Sequence, residues 1–356
     1  MKKICFFIGN LNLTGGTERV TSVLADILYK QGYDVSVLSI YEGLAPAFEI
    51  SEGIKLFQLF SQKVSMKAKF LTSILRLRSF IQDNKIETLI VVDSISCIFT
   101  IPALIGLDVK HICWEHFNFK FNFGSHFRDF GRKIATKYCD YVVTLTLKDS
   151  ADWRNYYKKT KAEIVTIYNP SPYIVHDVSL KEKSKTVLYV GRLSKEKGVD
   201  LLLDAWVISI KIRPDWHLKI IGAGLESDHL KQKCKELNIQ DSVSFLGEQK
   251  NLQPYYREAK FLCLPSREEG FGMVIVEAHA FGIPVLSFDI ETGPRELIVE
   301  GTGFRVEPYD VGLFANNILK IIDMTDFDYQ QCSVACKNNM LNFSKETILS
   351  HWKRVL

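Results

Sequence analysis

Lys260-Phe261-Leu262-Cys263-Leu264-Pro265 leads, through Ser266, into Arg267-Glu268-Glu269-Gly270-Phe271-Gly272-Met273-Val274-Ile275-Val276-Glu277, and the fold turns on how this stretch is read. The first run is apolar, short and closed by a proline, which is the pattern of a buried strand. Two glycines then let backbone approach a ligand, and Met273 to Phe281 carries a helical pattern. A glycine turn opening a helix is an anion site, because unpaired N–H groups and the positive end of the helix dipole face the turn. Glu269 in the turn and Glu277 a full helical turn inside would repel a phosphate unless they face something else, and sugar hydroxyls are suited to that. Phosphate at the helix end with hydroxyls around it describes a nucleotide-sugar. The competing reading is a surface loop before a core helix, with Glu277 solvated.

A second stretch weighs between them. Val187-Leu188-Tyr189-Val190 reads as a buried parallel strand, turning at Gly191 through Arg192-Leu193-Ser194-Lys195-Glu196-Lys197-Gly198 into a helical pattern from Val199 to Ile210. Arg192 and Lys197 therefore fall at the carboxyl end of a strand, where open α/β sheets bind ligands. Arginine offers a planar fork to phosphate oxygens and lysine a compact charge.

The same alternation runs along the chain. Strands are expected at 4–8, 35–40, 89–92, 110–114, 141–144 and 164–167, then at 187–190, 218–221, 243–245, 261–264 and 285–288. Helices between them imply parallel, right-handed, doubly wound sheets. Eleven strands exceed one ordinary sheet, so the class is α/β with two Rossmann-like domains: 1–170, joined by a last helix at 344–356, and 185–343, with 171–184 as linker.

Gly191-Arg192-Leu193 with Lys197-Gly198, followed by Glu269-Gly270-Phe271-Gly272 and Glu277, resembles the retaining family 4 glycosyltransferases of the GT-B fold. Gly15-Gly16-Thr17-Glu18-Arg19-Val20 is similar to that family's glycine loop after its first strand, although Thr17 stands where alanine is frequent. The resemblance runs from about residue 3 to the C-terminus, and it implies two domains flanking a cleft. It implies transfer, with retention, of a hexose or N-acetylhexosamine from a UDP-linked donor to a glycan or polyprenyl-diphosphate-linked acceptor in surface polysaccharide synthesis. Arg192, Lys197 and the amides of Gly272, Met273 and Val274 would then hold the diphosphate, with Gly15, Gly16, Gly191, Gly270 and Phe271 around the donor. Glu277 would bind ribose, Glu269 the transferred sugar, and His116, after the strand 110–114, sugar or acceptor. The last helix would cross back onto the first domain.

Composition agrees with a soluble globular protein. The 356 residues are 47% hydrophobic with mean hydropathy +0.01, ample for two buried cores. Eight scattered cysteines without a C-x-x-C pair read as buried free thiols of a reducing cytoplasm. Met1-Lys2-Lys3 precedes only a short apolar run, so no signal peptide is expected. The apolar stretch 89–107 is broken by Asp93, Ser94, Ser96 and Pro102, and divides into a strand and a helix rather than a membrane span. Residues 1–170 hold 22 Lys and Arg against 16 Asp and Glu, net +6, whereas the remainder holds 23 against 25, net −2. The excess lies at Lys63, Lys67, Lys69, Arg76, Arg78 and across 120–137, interleaved with Phe117, Phe119, Phe121, Phe123 and Phe127. Two readings stay open, an ordinary solvated rim and peripheral contact with the inner membrane face; without a nucleic-acid motif, nucleic acid is not expected.

Gly222-Ala223-Gly224 follows a strand, but Ser227 stands where a dinucleotide fingerprint needs its third glycine. Asp326-Phe327-Asp328 imitates a D-x-D metal site, yet it precedes a late helix and reads as N-terminal helix charge. Nothing else has metal-ligand spacing, so neither metal nor cofactor is expected beyond the nucleotide-sugar. Two competing functions stay open: a nucleotide-sugar epimerase or hydrolase of the same fold, and a non-catalytic glycan-binding subunit.

Overall fold

The computed structural model describes residues 1–122, 124–176 and 184–356. The chain divides into two compact units, one of Met1–Pro172 with Lys345–Leu356, the other of Tyr173–Ser344. Among the described residues thirteen strands form, all in parallel pairs.

The first unit holds β1 (Lys3–Ile8), β2 (Asp34–Tyr41), β3 (Lys55–Phe60), β4 (Thr88–Val92), β5 (Lys110–Trp114), β6 (Tyr141–Thr144) and β7 (Glu163–Thr166), in the order β3-β2-β1-β4-β5-β6-β7. The middle strands are buried on both faces, which explains their continuous apolar runs. The order reverses between β1 and β4, so the loops after these two strands flank a switch point. The stretch 89–107 does split, into β4 and a helix Cys97–Leu104, and no helix among the described residues is long and apolar enough to cross a membrane. The terminal helix Lys345–Trp352 buries Ile348 and Trp352, whose ring meets Trp114 edge-on at 5.1 Å. Each such large apolar side chain stabilises its unit by ~2–3 kcal/mol.

The second unit holds β8 (Thr186–Val190), β9 (His217–Ile221), β10 (Val243–Phe245), β11 (Phe261–Leu264), β12 (Val285–Phe288) and β13 (Gly303–Val306), in the order β10-β9-β8-β11-β12-β13. Here the switch point falls between β8 and β11, paired through Val187 with Phe261 and Leu188 with Leu262. Of the stretch read as linker, residues 177–183 lie outside the described residues. Tyr173 and His176 pack onto the second unit, His176 stacking on Phe281 at 4.5 Å.

β3 and β13 were not expected. Both are sheet edges whose faces are only partly buried, so neither shows the apolar run that marks a central strand.

Candidate functional site

The loops after β8 and β11 meet at the switch point of the second unit, and hydrogen bonds stitch them together. Arg267 N donates to Glu196 O at 2.8 Å, and the Arg267 guanidinium grips Asp200 through both carboxylate oxygens, at 2.8 and 2.7 Å. Lys197 Nζ lies 2.7 Å from Glu269 Oε1, which also accepts from Ser266 Oγ at 2.8 Å. Lys197 and Glu269 are mostly buried, their side chains 18% and 8% exposed, while Arg192 is 66% exposed beside Glu196. The structure thus joins Lys197 to Glu269 and leaves Arg192 reaching into solvent.

The turn Glu269–Gly272 does feed a helix, Met273–Ala280. Gly272 is its N-cap at φ +91°, a conformation open to glycine and costly for residues with a Cβ. Met273 and Val274 form its first turn, with free amides to offer. Phe271 is buried against Phe343, ring centroids 6.1 Å apart, so its side chain serves packing. Gly270 precedes it in the turn, and Thr292 Oγ1 donates to Glu269 O at 2.6 Å.

Glu277 is 2% exposed and accepts a hydrogen bond from the buried Tyr256 hydroxyl at 2.8 Å. A solvated face residue is therefore excluded. Glu268, which the motif reading passed over, has a buried Oε2 without a hydrogen-bond partner. Burial and the neighbouring Glu196 push its pKa up.

Gly191 opens the loop after β8, and its amide donates to Ile221 O at 3.0 Å. The reason for Gly222-Ala223-Gly224 now appears: Gly222 sits at φ +136°, and a Cβ there would come within 1.9 Å of Gly191 O. Leu193 N donates to Ala223 O at 2.9 Å, so the glycine pair buttresses the Arg192 loop.

In the first unit, Gly15 caps the helix Gly16–Lys30 that follows β1, with Glu18 in its first turn. His116 follows β5. Its ring lies 4.4 Å from that of Trp114, and its Nε2 is buried with no hydrogen-bond partner. Burial lowers its pKa to about 4, against the pull of Glu115, so the imidazole is neutral. Sequence reasoning noticed Glu115 but not its company. Glu115 is 1% exposed and accepts from the amides of His116 and Phe117 at 3.0 and 3.1 Å. Arg132 Nε stands 3.3 Å from it, and Ser94 Oγ donates to it. Burial opposes its charge, but Arg132 and Arg128 outweigh burial and hold its pKa low.

Arg128 also forks onto Asp93 at 2.6 and 2.9 Å. Asp93 directly follows β4 at φ +85°, and burial together with Glu115 raises its pKa to about 6. No spacing rule connects residues 93, 115, 128 and 132; only the sheet order does. The network also corrects the basic stretch 120–137, because Arg128 and Arg132 are buried partners of carboxylates. Phe117 lies under Arg128, and Phe119 packs on Trp153, Tyr156 and Tyr157. Phe123 lies outside the described residues.

Two further expectations meet the structure. Asp326 and Asp328 do occupy the first turn of a helix, Asp326–Asn339, capped by Thr325. No sequence spacing links Cys97, His111 and Cys139, yet they place one ligand atom each within 4.8 Å of one another. They form a buried, hydrogen-bonded group in the core: His111 Nε2 lies 3.0 Å from Thr100 Oγ1, and Nδ1 3.5 Å from Cys139 Sγ.

Residues 174–337 match the model of glycosyl transferases group 1, and residues 14–171 that of Glycosyltransferase Family 4. The chain is 36% identical to an uncharacterized glycosyltransferase of Haemophilus influenzae, over the full length of both chains. It is 27% identical, over 100% of its own length and 98% of the other's, to a Campylobacter jejuni protein. That protein is named an α-1,4-N-acetyl-D-galactosaminyltransferase acting on an undecaprenyl-diphosphate-linked glycan. Among solved structures, HepE of Anabaena in complex with UDP and glucose superposes with a TM-score of 0.80 at 18% identity, covering 99% of each chain.

Proposed function

The chain belongs to glycosyltransferase family 4, with the GT-B fold, and on that premise we propose that it transfers a hexose or N-acetylhexosamine, with retention, from a UDP-sugar to a glycan or polyprenyl-diphosphate-linked acceptor. The observation that carries this reading is the switch point between β8 and β11. It gathers an exposed Arg192, a Lys197–Glu269 pair and a helix opened by Gly272. Departure of UDP develops negative charge on the β-phosphate. Arg192, Lys197 and the first-turn amides of the Met273–Ala280 helix would stabilise that charge, which is electrostatic rather than covalent catalysis.

Glu269 is assigned to hydroxyls of the transferred sugar, with Lys197 and Ser266 holding its carboxylate. Glu277 is assigned to ribose, with Tyr256 fixing its carboxylate. Gly15 and Gly16 are assigned to close approach of backbone to the donor. His116 is assigned to sugar or acceptor; its ring is neutral, and its buried Nε2 lacks a hydrogen-bond partner. The UDP and the glycan-lipid acceptor are supported by what HepE holds and by the name of the Campylobacter relative. No step in this scheme requires a metal ion. The work would be done at the cytoplasmic face of the inner membrane, by peripheral contact.

A panel of sugar nucleotides screened by thermal shift tests the donor, since a bound ligand raises the melting temperature by mass action. NMR of the product then reads the anomeric configuration. An unmoved melting temperature across UDP-, GDP- and dTDP-sugars would remove the nucleotide-sugar from the reading, and an inverted anomer would remove retention.

A further inference from the structure

From Ser61 to Gln82 the chain carries Lys63, Lys67, Lys69, Arg76 and Arg78 and not one Asp or Glu. The helix Phe70–Asn84 within this stretch turns Leu77 and Ile81 inward, but leaves Leu71 and Leu75 71% and 64% exposed. Four residues apart, these leucines share one helical face. A second helix, His126–Tyr138, leaves Phe127 and Phe130 56% and 52% exposed, with Lys133 and Lys137 exposed on its following turns. The two groups adjoin, since Lys67 Nζ lies 5.7 Å from the centre of the Phe127 ring. Helix Cys97–Leu104 packs against both helices and holds the wall together. Phe70 meets Phe99 at 5.4 Å, and Arg78 donates to Ala103 O and Ile105 O at 2.9 and 2.7 Å.

Four large apolar side chains exposed on one wall are more than a surface facing only water requires. The charge around them is mostly positive: Lys67, Lys69, Lys133 and Lys137 are exposed, against the half-buried carboxylate of Asp129, which accepts from Asn122 at 2.8 Å. A second copy of this wall would set cation against cation, which opposes a symmetric dimer. Anionic phospholipid fits both properties: lysines meet phosphates while leucine and phenylalanine enter the headgroup–acyl boundary. We propose that the wall formed by Leu71, Leu75, Phe127 and Phe130, rimmed by Lys67 and Lys69, docks this enzyme onto an anionic lipid surface. The inference rests on the reading of the acceptor as lipid-linked.

The test is sedimentation of the full-length protein with vesicles, alongside transfer to a water-soluble acceptor analogue. Wild-type protein should bind phosphatidylethanolamine–phosphatidylglycerol vesicles at least about tenfold more tightly than phosphatidylcholine vesicles, with the difference shrinking in high salt. Lys67→Glu with Lys69→Glu should abolish the preference for anionic lipid. Leu71→Asn with Leu75→Asn should weaken binding about tenfold at every salt concentration. Both variants should keep wild-type melting temperature and wild-type transfer to the soluble analogue. Equal binding by wild type and variants overturns the inference. So does a dimer that the same substitutions dissolve in the absence of vesicle binding. Transfer to the soluble analogue without vesicle binding overturns the docking surface alone, while vesicle binding without transfer from any donor overturns the reaction alone.

Discussion

Lys197 Nζ and Glu269 Oε1, 72 residues apart in sequence, stand 2.7 Å from each other and tie the loop after β8 to the loop after β11. The two side chains are therefore coupled, and a substitution of either disturbs the other. Arg192 is different, being 66% exposed. Arg192→Ala should leave the melting temperature unchanged and lower turnover roughly 10²–10³-fold, the cost of one lost transition-state contact. Lys197→Ala should lower turnover similarly and also cost about 1–3 kcal/mol of stability, because the mostly buried Glu269 loses the donor on its Oε1. A double-mutant cycle with Glu269→Gln should be far from additive. Near-normal turnover in both single variants would remove the phosphate clamp.

The two motif glutamates should differ in kinetics. Glu277 is assigned to ribose, far from the bond that breaks, so Glu277→Gln should mainly raise KM. Tyr256→Phe removes the hydroxyl that holds Glu277 and should raise KM in the same direction, by less. Glu269→Gln disturbs the transferred sugar itself and should depress kcat more than KM. Initial rates over a range of donor concentrations separate the two patterns, and their exchange would refute the assignment while sparing the fold.

Metal removal gives a third expectation. The cations proposed at the diphosphate are side chains of the protein, so transfer should survive excess EDTA. Loss of activity that Mg²⁺ or Mn²⁺ restores would show that a divalent ion shares the diphosphate with Arg192 and Lys197.

Gly222 tests the support of the Arg192 loop. At φ +136°, with Gly191 O 1.9 Å from where a Cβ would lie, Gly222→Ala must shift the loop or the strand end. The variant should lose about 1–3 kcal/mol of stability and bind donor more weakly. Gly16→Ala is the control for stability alone, because nothing lies within 4 Å of its would-be Cβ and its φ is ordinary. Matching melting curves for the two variants would show that the close approach is not felt.

The sequence exposed whatever depended on local pattern. Val187–Val190 and Phe261–Leu264 are continuous apolar runs because both faces of their sheet are covered, and they appear as β8 and β11. Glycines mark turns, so Gly272 betrayed the start of its helix. β3 and β13 escaped notice because edge strands are half-covered and need not be uniformly apolar. Partnerships across the sheet escaped as well. Glu115 meets Arg132 because one follows β5 and the other lies on the helix that returns from it, and Asp93 joins them because β4 neighbours β5. The burial of Glu277 was equally hidden, since a glutamate at helical spacing looks the same facing water or facing Tyr256.

His116 provides a pH test of the first unit's network. Its pKa lies at about 4 in the folded chain, against about 6.5 for an unperturbed histidine. Between these values the unfolded chain binds a proton that the folded chain refuses, so stability contributed by His116 is intact above pH 6.5 and is lost as pH falls toward 4. Asp93 works in the opposite sense, because its pKa is raised to about 6 and protonation favours the folded state below that value. His111 and His279, each lowered to about 4 by burial, add losses of the same sign as His116. These other groups are common to wild type and a His116→Asn variant, so they largely cancel in the difference between the two. That difference should shift against the wild type by up to about 1.4 kcal/mol per pH unit between pH 6 and pH 4.5. Denaturant unfolding at each pH measures it. A constant difference across the window would mean that His116 titrates alike in the folded and unfolded chains. The burial that lowers its pKa would then have to be given up.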